Sequence, residues 1–377
     1  MWGSGRGATR SSACNDRGLP EVVGGSGSYD LGVDPVTGAV NDVDVLIVGA
    51  GPCGLAAAIS AQRGGLRSIV IEANVVVSTV AQYPTYVRFF STADKLSLGG
   101  MPFVVADDKP SRRDGLTYYR AVVGHFGIVV RQYERVLSIE GSRGAFSIHS
   151  RTRAGRDRVM RAGAVVVATG YFGSPNAIGI PGEDLPHVTH VFHEGHEAFQ
   201  QDAVVIGGGN SAAEAALELW RCGARVVLTH FGPTFDKRIK PWVLPDFENR
   251  VKEGSIAVRW GARVAAIEPD AVRIVMPGGE ERLPASLVYA MTGFAPNTDL
   301  LRGLGVPIDP KTGIPAHDAA TLETSVPGVF VAGVIIAGFD ANKVFIENGR
   351  FHGDRIVAHL LGHRPPAPPM LSAELDS

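Results

Sequence analysis

The chain has only three cysteines in 377 residues, Cys14, Cys53 and Cys222, and no two of them form a CxxC pair or a zinc-ligand spacing. That excludes a local redox dithiol, argues against a disulfide framework and points to a reducing compartment, read here as the cytoplasm. Long apolar runs are missing too: the longest, Gly328 to Phe339, falls well short of the roughly 20 residues that span a bilayer. No charge of one sign dominates. A net charge of −2 leaves no electrostatic footprint for nucleic acid or an anionic membrane. Residues 1–41 lack both apolar periodicity and the hydrophobic run of a signal peptide, and read as a disordered extension in which Cys14 is incidental.

Glycine, by contrast, is abundant at 47 residues, and its most ordered use is in two copies of one pattern. Asp44 to Glu72 reads DVLIVGAGPCGLAAAISAQRGGLRSIVIE: an apolar strand to Val48, a glycine turn, a helix from Pro52 to Arg63, and a strand from Ser68 to Ile71 that ends on a carboxylate. Gly49 supplies the tight turn, Gly51 the close approach to a pyrophosphate, and Gly54 the helix–strand contact. Pro52 and Cys53 open a helix whose free N–H groups aim at that phosphate. Glu72 stands where a carboxylate accepts the ribose hydroxyls of an adenosine.

The pattern returns without a gap as Asp202 to His230, DAVVIGGGNSAAEAALELWRCGARVVLTH. Gly207, Gly209 and Ala212 replace the three glycines, Asn210 and Ser211 replace Pro52 and Cys53, and His230 replaces Glu72. A carboxylate would repel the 2′-phosphate of NADPH, whereas His230 followed by Lys237, Arg238 and Lys240 attracts it. FAD is therefore assigned to the first copy and NADPH to the second. The expected fold is α/β, with two Rossmann-like dinucleotide-binding domains. The NADPH domain, 177–293, is inserted in a discontinuous FAD domain, 42–176 and 294–362, and a loose proline-rich tail, 363–377, follows.

Between the landmarks the signals are weaker. Val75 to Phe103 is a loop with aromatics; its Phe89 and Phe90 either cover the flavin ring and substrate mouth or fill core. Leu116 to Phe126 reads as an amphipathic helix, and Ile128 to Ile139 and Ala145 to Ser150 as strands of a small antiparallel insert. Ala164 to Gly170 is a buried strand. His187, His190, His193 and His196 recur at every third position without a Cys or acid to complete a metal-ligand set, and no metal is assigned. Strands are expected at Ile256–Trp260, Val264–Glu268 and Val272–Val275, a return crossover at Val288–Asn297, a last strand and glycine turn at Gly328–Gly338, and a helix at Val344–Leu361. Cys222 reads as buried packing.

Four longer stretches add a resemblance: GAGPCG (Gly49 to Gly54), YPT with FFST (Tyr83 to Thr92), WVLPDFENRVKEGSI (Trp242 to Ile256) and VFIENGRFHG (Val344 to Gly353). On these the chain resembles the low-molecular-weight thioredoxin reductase type of flavoprotein and, within it, the bacillithiol disulfide reductase family, over about residues 43 to 362. The resemblance implies an NADPH-dependent FAD enzyme that reduces a small-molecule thiol disulfide, with Thr169 and Gly170 touching FAD and Cys53 as the redox residue. It implies no nucleic-acid or membrane partner and leaves a homo-oligomer open. Two departures stand out. The redox CxxC of thioredoxin reductase is replaced near His190 to His193, and Val334 follows Gly333 where a GD pair holds the flavin ribityl chain. For Cys53 two readings stay open: a helix N-terminus favours its thiolate, yet it also suits a small packing residue beside the phosphate. A flavin monooxygenase or ferredoxin-type reductase, and a catalytically idle NADPH sensor, are the alternative functions.

Overall fold

The computed structural model describes residues 42–235 and 239–367; the expected extension with Cys14, the pair Lys237 and Arg238, and the far end of the tail lie outside the described residues. The first half runs through β1 (Asp42–Val48), α1 (Pro52–Arg63), β2 (Ser68–Ile71), the single turns α2 (Ser78–Ala81) and α3 (Ala93–Leu96), and α4 (Arg112–Phe126). Strands β3 (Val130–Arg131), β4 (Glu134–Ser142), β5 (Ala145–Thr152) and β6 (Asp157–Val167) follow. α1 begins at Pro52, whose fixed φ suits a first helical position, and stops at Gly64. Its alanines, Ala56, Ala57, Ala58 and Ala61, are buried, and side chains this short let the helix lie close to the sheet. α4 starts a turn before the expected Leu116. Ser111 Oγ accepts the Asp114 N–H while the Asp114 carboxylate accepts the Ser111 N–H at 2.9 Å, a polar cap that apolar periodicity does not register.

The expected antiparallel insert is not a separate unit. β6 starts at Asp157, earlier than the anticipated Ala164, and its first half pairs antiparallel with β5 while Arg161 to Val167 pair parallel with β1. One sheet therefore carries the order β3-β2-β1-β6-β5-β4.

The chain then crosses through β7 (Ser174–Pro175) and β8 (Val188–Thr189) into β9 (Asp202–Ile206), α5 (Asn210–Arg221), β10 (Arg225–His230), α6 (Leu244–Lys252) and β11 (Ile256–Trp260). An antiparallel meander, β12 (Arg263–Glu268), β13 (Ala271–Met276) and the unanticipated polar strand β14 (Gly279–Pro284), leads to β15 (Leu287–Ala290). The second sheet has the order β11-β10-β9-β15-β8. Return is by β16 (Phe294–Ala295), which pairs antiparallel with β7, so outgoing and incoming chains form one ribbon. After α7 (Asp299–Gly303), β17 (Val329–Val331) rejoins the first sheet beside β6. That closes the discontinuous domain around the inserted one.

The expected final helix is two, α8 (Ile346–Gly349) and α9 (His352–Leu360), separated where the Arg350 guanidinium donates to the carbonyls of Asp94 and Ser97. His352 is buried, and its Nδ1 accepts the Gly333 N–H at 3.1 Å. Burial, with the nearby Arg355 charge, holds it at about 4 instead of 6.5. Because the folded value lies below the unfolded one, stability is complete above about pH 6.5 and declines as the pH falls toward about 4, by up to about 3 kcal/mol. Urea midpoints across that window are expected to fall in the parent and to flatten in His352→Asn. No helix among the described residues is long and apolar enough to cross a membrane.

Candidate functional site

The parallel strands β2, β1, β6 and β17 end at one edge of the first sheet, and Glu72, Gly49, Thr169–Gly170 and Gly333 follow those ends. Such an edge is where open α/β sheets bind ligands. Gly49 sits at φ +108°, and a Cβ there would strike the Ala168 carbonyl; at Gly54 it would strike the carbonyl of Gly49. Gly51 is different: a Cβ would meet nothing within 4 Å, so its bare backbone faces open space at the start of α1. Thr169 Oγ1 is buried with no hydrogen-bond partner among the described residues. Glu72 is buried and braces the turn, its Oε2 accepting the Ala50 N–H at 2.9 Å and its Oε1 the Asn74 N–H at 2.8 Å. A carboxylate has about four acceptor positions, so capacity remains for a ribose hydroxyl. A cleared cradle and an orphaned hydroxyl fit a bound dinucleotide.

One feature of this cradle has no sequence signal. Val77, β-branched, adopts φ +48° and donates its N–H to the Ala50 carbonyl at 2.9 Å, a strained backbone position held against the glycine turn.

The second cradle repeats the first. Gly207, at φ +145°, lies against the Met291 carbonyl, Ala212 is fully buried at the position of Gly54, and a Cβ on Gly209 would again meet nothing within 4 Å. Ser211 is exposed, whereas the Asn210 side chain is engaged, its Oδ1 accepting the Lys240 N–H at 3.0 Å. The His230 ring lies against Gly208 and Gly232, beside the rings of Phe231 and Trp260. The Lys240 ammonium lies 5.8 Å from the Phe90 ring and 5.9 Å from that of Phe345, aromatic neighbours from the other domain that its sequence position does not announce.

The aromatic loop divides. Phe89 is core, while Phe90 is 45% exposed and packs edge-on against Trp242 at 5.5 Å. Nearby, Thr85 donates its N–H to the His193 carbonyl and its hydroxyl to Glu194 at 2.7 Å, tying this loop to the inserted domain. Cys222 is half-buried, not fully packed away, with Gly195 beside its sulfur.

Cys53 occupies the second position of α1 and is half-buried, with Gly333 and Gly349 against its sulfur. Burial, reinforced by the charge of Glu347, pushes its thiol up to about 12. The expected pull of the helix N-terminus toward thiolate is therefore outweighed. Tyr83 is likewise held up at about 12 by burial and Glu347. Glu347, which the sequence places at the start of the last helix, accepts a hydrogen bond from Ser91; it was given no role in the site from sequence.

A family model described as pyridine nucleotide-disulphide oxidoreductase matches residues 46–333. The chain is 43% identical to the bacilliredoxin reductase Bdr of Bacillus subtilis (strain 168), over 84% of this chain and 96% of that one. It belongs to the bacillithiol disulfide reductase family of pyridine nucleotide-disulphide oxidoreductases. Two solved structures of that family superpose on it. The bacillithiol disulfide reductase Bdr (YpdA) from Bacillus cereus is 42% identical, with TM-score 0.83, over 85% of this chain and 99% of that one. The one from Staphylococcus aureus is 40% identical, with TM-score 0.80, over 85% and 98%. As a member of this family the chain is an oxidoreductase that uses FAD and NADPH.

Proposed function

We propose that the chain reduces bacillithiol disulfide, or a small disulfide of like chemistry, with electrons from NADPH, in the cytoplasm. FAD is held in the first cradle, by residues of 42–176 and 294–362, and NADPH in the second, within 177–293. The observation that supports this most is the pairing of two cleared cradles that differ at the adenosine position, Glu72 against His230, with a single thiol, Cys53, at the first. Bound FAD supplies the two-electron relay between donor and disulfide. The chain's own part is positional. Gly51 and Gly209 leave room for pyrophosphates, the starts of α1 and α5 present free N–H groups, Glu72 receives a ribose, and the Thr169 hydroxyl, without a partner among the described residues, and Gly170 meet FAD. With no CxxC in the sequence, electrons reach the substrate without an adjacent-dithiol relay, and the thiol assigned to exchange is Cys53, at the first cradle.

A panel of electron acceptors tests this. NADPH consumption is expected with bacillithiol disulfide; consumption only with ferredoxin, or only with oxygen plus an organic substrate, replaces the reading with one of the alternatives. The donor is tested separately. His230→Glu, which restores a carboxylate facing a 2′-phosphate, is expected to lower the NADPH-over-NADH preference at least about tenfold, measured as the ratio of kcat/KM values. An unchanged ratio would remove His230 from the site.

A further inference from the structure

Gly333 opens a short 3-10 turn, Gly333–Ala337, at the end of β17, and the first N–H groups of such a turn have no acceptor within it. The residue before it is still paired in the sheet: the Ala332 N–H donates to the Val167 carbonyl on β6 at 3.0 Å. For Gly333 the acceptor is Nδ1 of His352, the first residue of α9, at 3.1 Å. Both residues are buried. The turn forms one side of the first cradle, since a Cβ on Gly333 would lie 3.0 Å from the Cys53 Cβ in the first turn of α1.

His352 is held in place from behind. Gly353 packs on α1 so closely that a Cβ would lie 2.6 Å from the Ala57 Cα, and Ser60 donates its hydroxyl to Asp354 at 2.6 Å. The start of α9 is thus seated on the middle of α1, while the His352 ring reaches the turn beside the beginning of α1. An imidazole that accepts at Nδ1 carries its proton on Nε2 and is neutral. Burial opposes a second proton, and so do the groups that face the ring, Arg355 on α9 and His317 in the loop before β17. Val334, next in the turn, brings no polar side chain of its own.

We propose that His352 is a positioning residue for FAD: by accepting the Gly333 N–H it fixes the turn after β17 against the start of α1 and so shapes that side of the first cradle. This rests on FAD occupying the first cradle. Without the acceptor a buried N–H is left unpaired, and the flavin-free chain relieves this by letting the turn move away. FAD must then draw the turn back, and the penalty appears as lost affinity. His352 acts through Gly333.

The test titrates the flavin-free full chain with FAD and reads the dissociation constant from flavin fluorescence. Three variants differ in where they offer an acceptor: His352→Asn places an amide oxygen where Nδ1 stands, His352→Gln places it farther out, near the position of Nε2, and His352→Leu has none. The Asn variant is expected to bind FAD within about threefold of the parent, and the Gln and Leu variants at least about tenfold more weakly. NADPH affinity of the same samples, read from tryptophan fluorescence, is expected to be unchanged, because the second cradle lies in the inserted domain. Parent-like FAD affinity in the Gln and Leu variants overturns the proposal. Equal weakening in all three overturns it as well, since the bulk of the ring and not its acceptor would then matter, and so does a parallel loss of both affinities. Should His352→Leu fail to fold, the Asn and Gln pair decides alone. Gly51→Val tests the reading beneath: its backbone is extended and a Cβ there meets nothing within 4 Å, so the chain is expected to fold and to lose FAD. If Gly51→Val binds FAD like the parent, the assignment of the first cradle falls and this proposal with it. If it loses FAD while the Gln and Leu variants keep it, only the role of His352 falls.

Discussion

Replacing Gly209 by valine yields a folded, yellow protein that NADPH bleaches at least about 100-fold more slowly than the parent. The backbone tolerates the change, since Gly209 caps α5 in an extended conformation at φ −93° and a Cβ there meets nothing within 4 Å. The lost function follows from the same emptiness. The space beside Gly209 is what lets a pyrophosphate reach the backbone N–H groups at the helix start, and an isopropyl group fills it. Unfolding midpoints are expected to stay within about 1 kcal/mol of the parent, as for a surface substitution, while anaerobic stopped-flow bleaching collapses. Gly207→Val is the contrasting case: at φ +145° and against the Met291 carbonyl, it is expected to unfold the inserted domain. A Gly209→Val protein bleached at the parent rate would place the donor elsewhere.

Cys53→Ser separates the two halves of the reaction. Serine fits wherever the thiol fits between Gly333 and Gly349, so flavin content and bleaching by NADPH are expected within about twofold of the parent. Reoxidation of the reduced protein by bacillithiol disulfide is expected to fall at least about 100-fold, because an uncharged hydroxyl does not replace a thiolate in disulfide exchange. Parent-like turnover would return Cys53 to the plain packing role that its place beside Gly333 and Gly349 also allows.

The sequence showed what depends on local backbone demands. The ends of α1 and β2 fall where expected because Pro52, Gly64 and the apolar run are local signals, and Gly49, Gly54 and Gly207 are legible because a left-handed φ or a carbonyl in contact admits little else. Long-range partners were not visible. The polar half of β6 takes its strand identity from β5, and its apolar end, Val165 to Val167, is joined by β17, far along the chain. The sequence also did not show that Asn210 holds the Lys240 backbone or that its ammonium lies near the rings of Phe90 and Phe345. Phe89 and Phe90, adjacent and chemically identical, divide into core and surface because neighbouring side chains point apart, and only the fold says which is which. Glu347 accepts a hydrogen bond from Ser91, 256 residues earlier in the chain, a contact no local pattern encodes.

In the proposed reaction two nucleotides act in series on one chain, with a disulfide as the final acceptor. An anaerobic spectral titration decides this: purified protein is reduced with one equivalent of NADPH and then mixed with one equivalent of bacillithiol disulfide. The yellow absorbance is expected to disappear with NADPH far faster than with NADH and to return with the disulfide. A protein that is colourless after reconstitution with FAD, or one that stays bleached until oxygen is admitted, would contradict it.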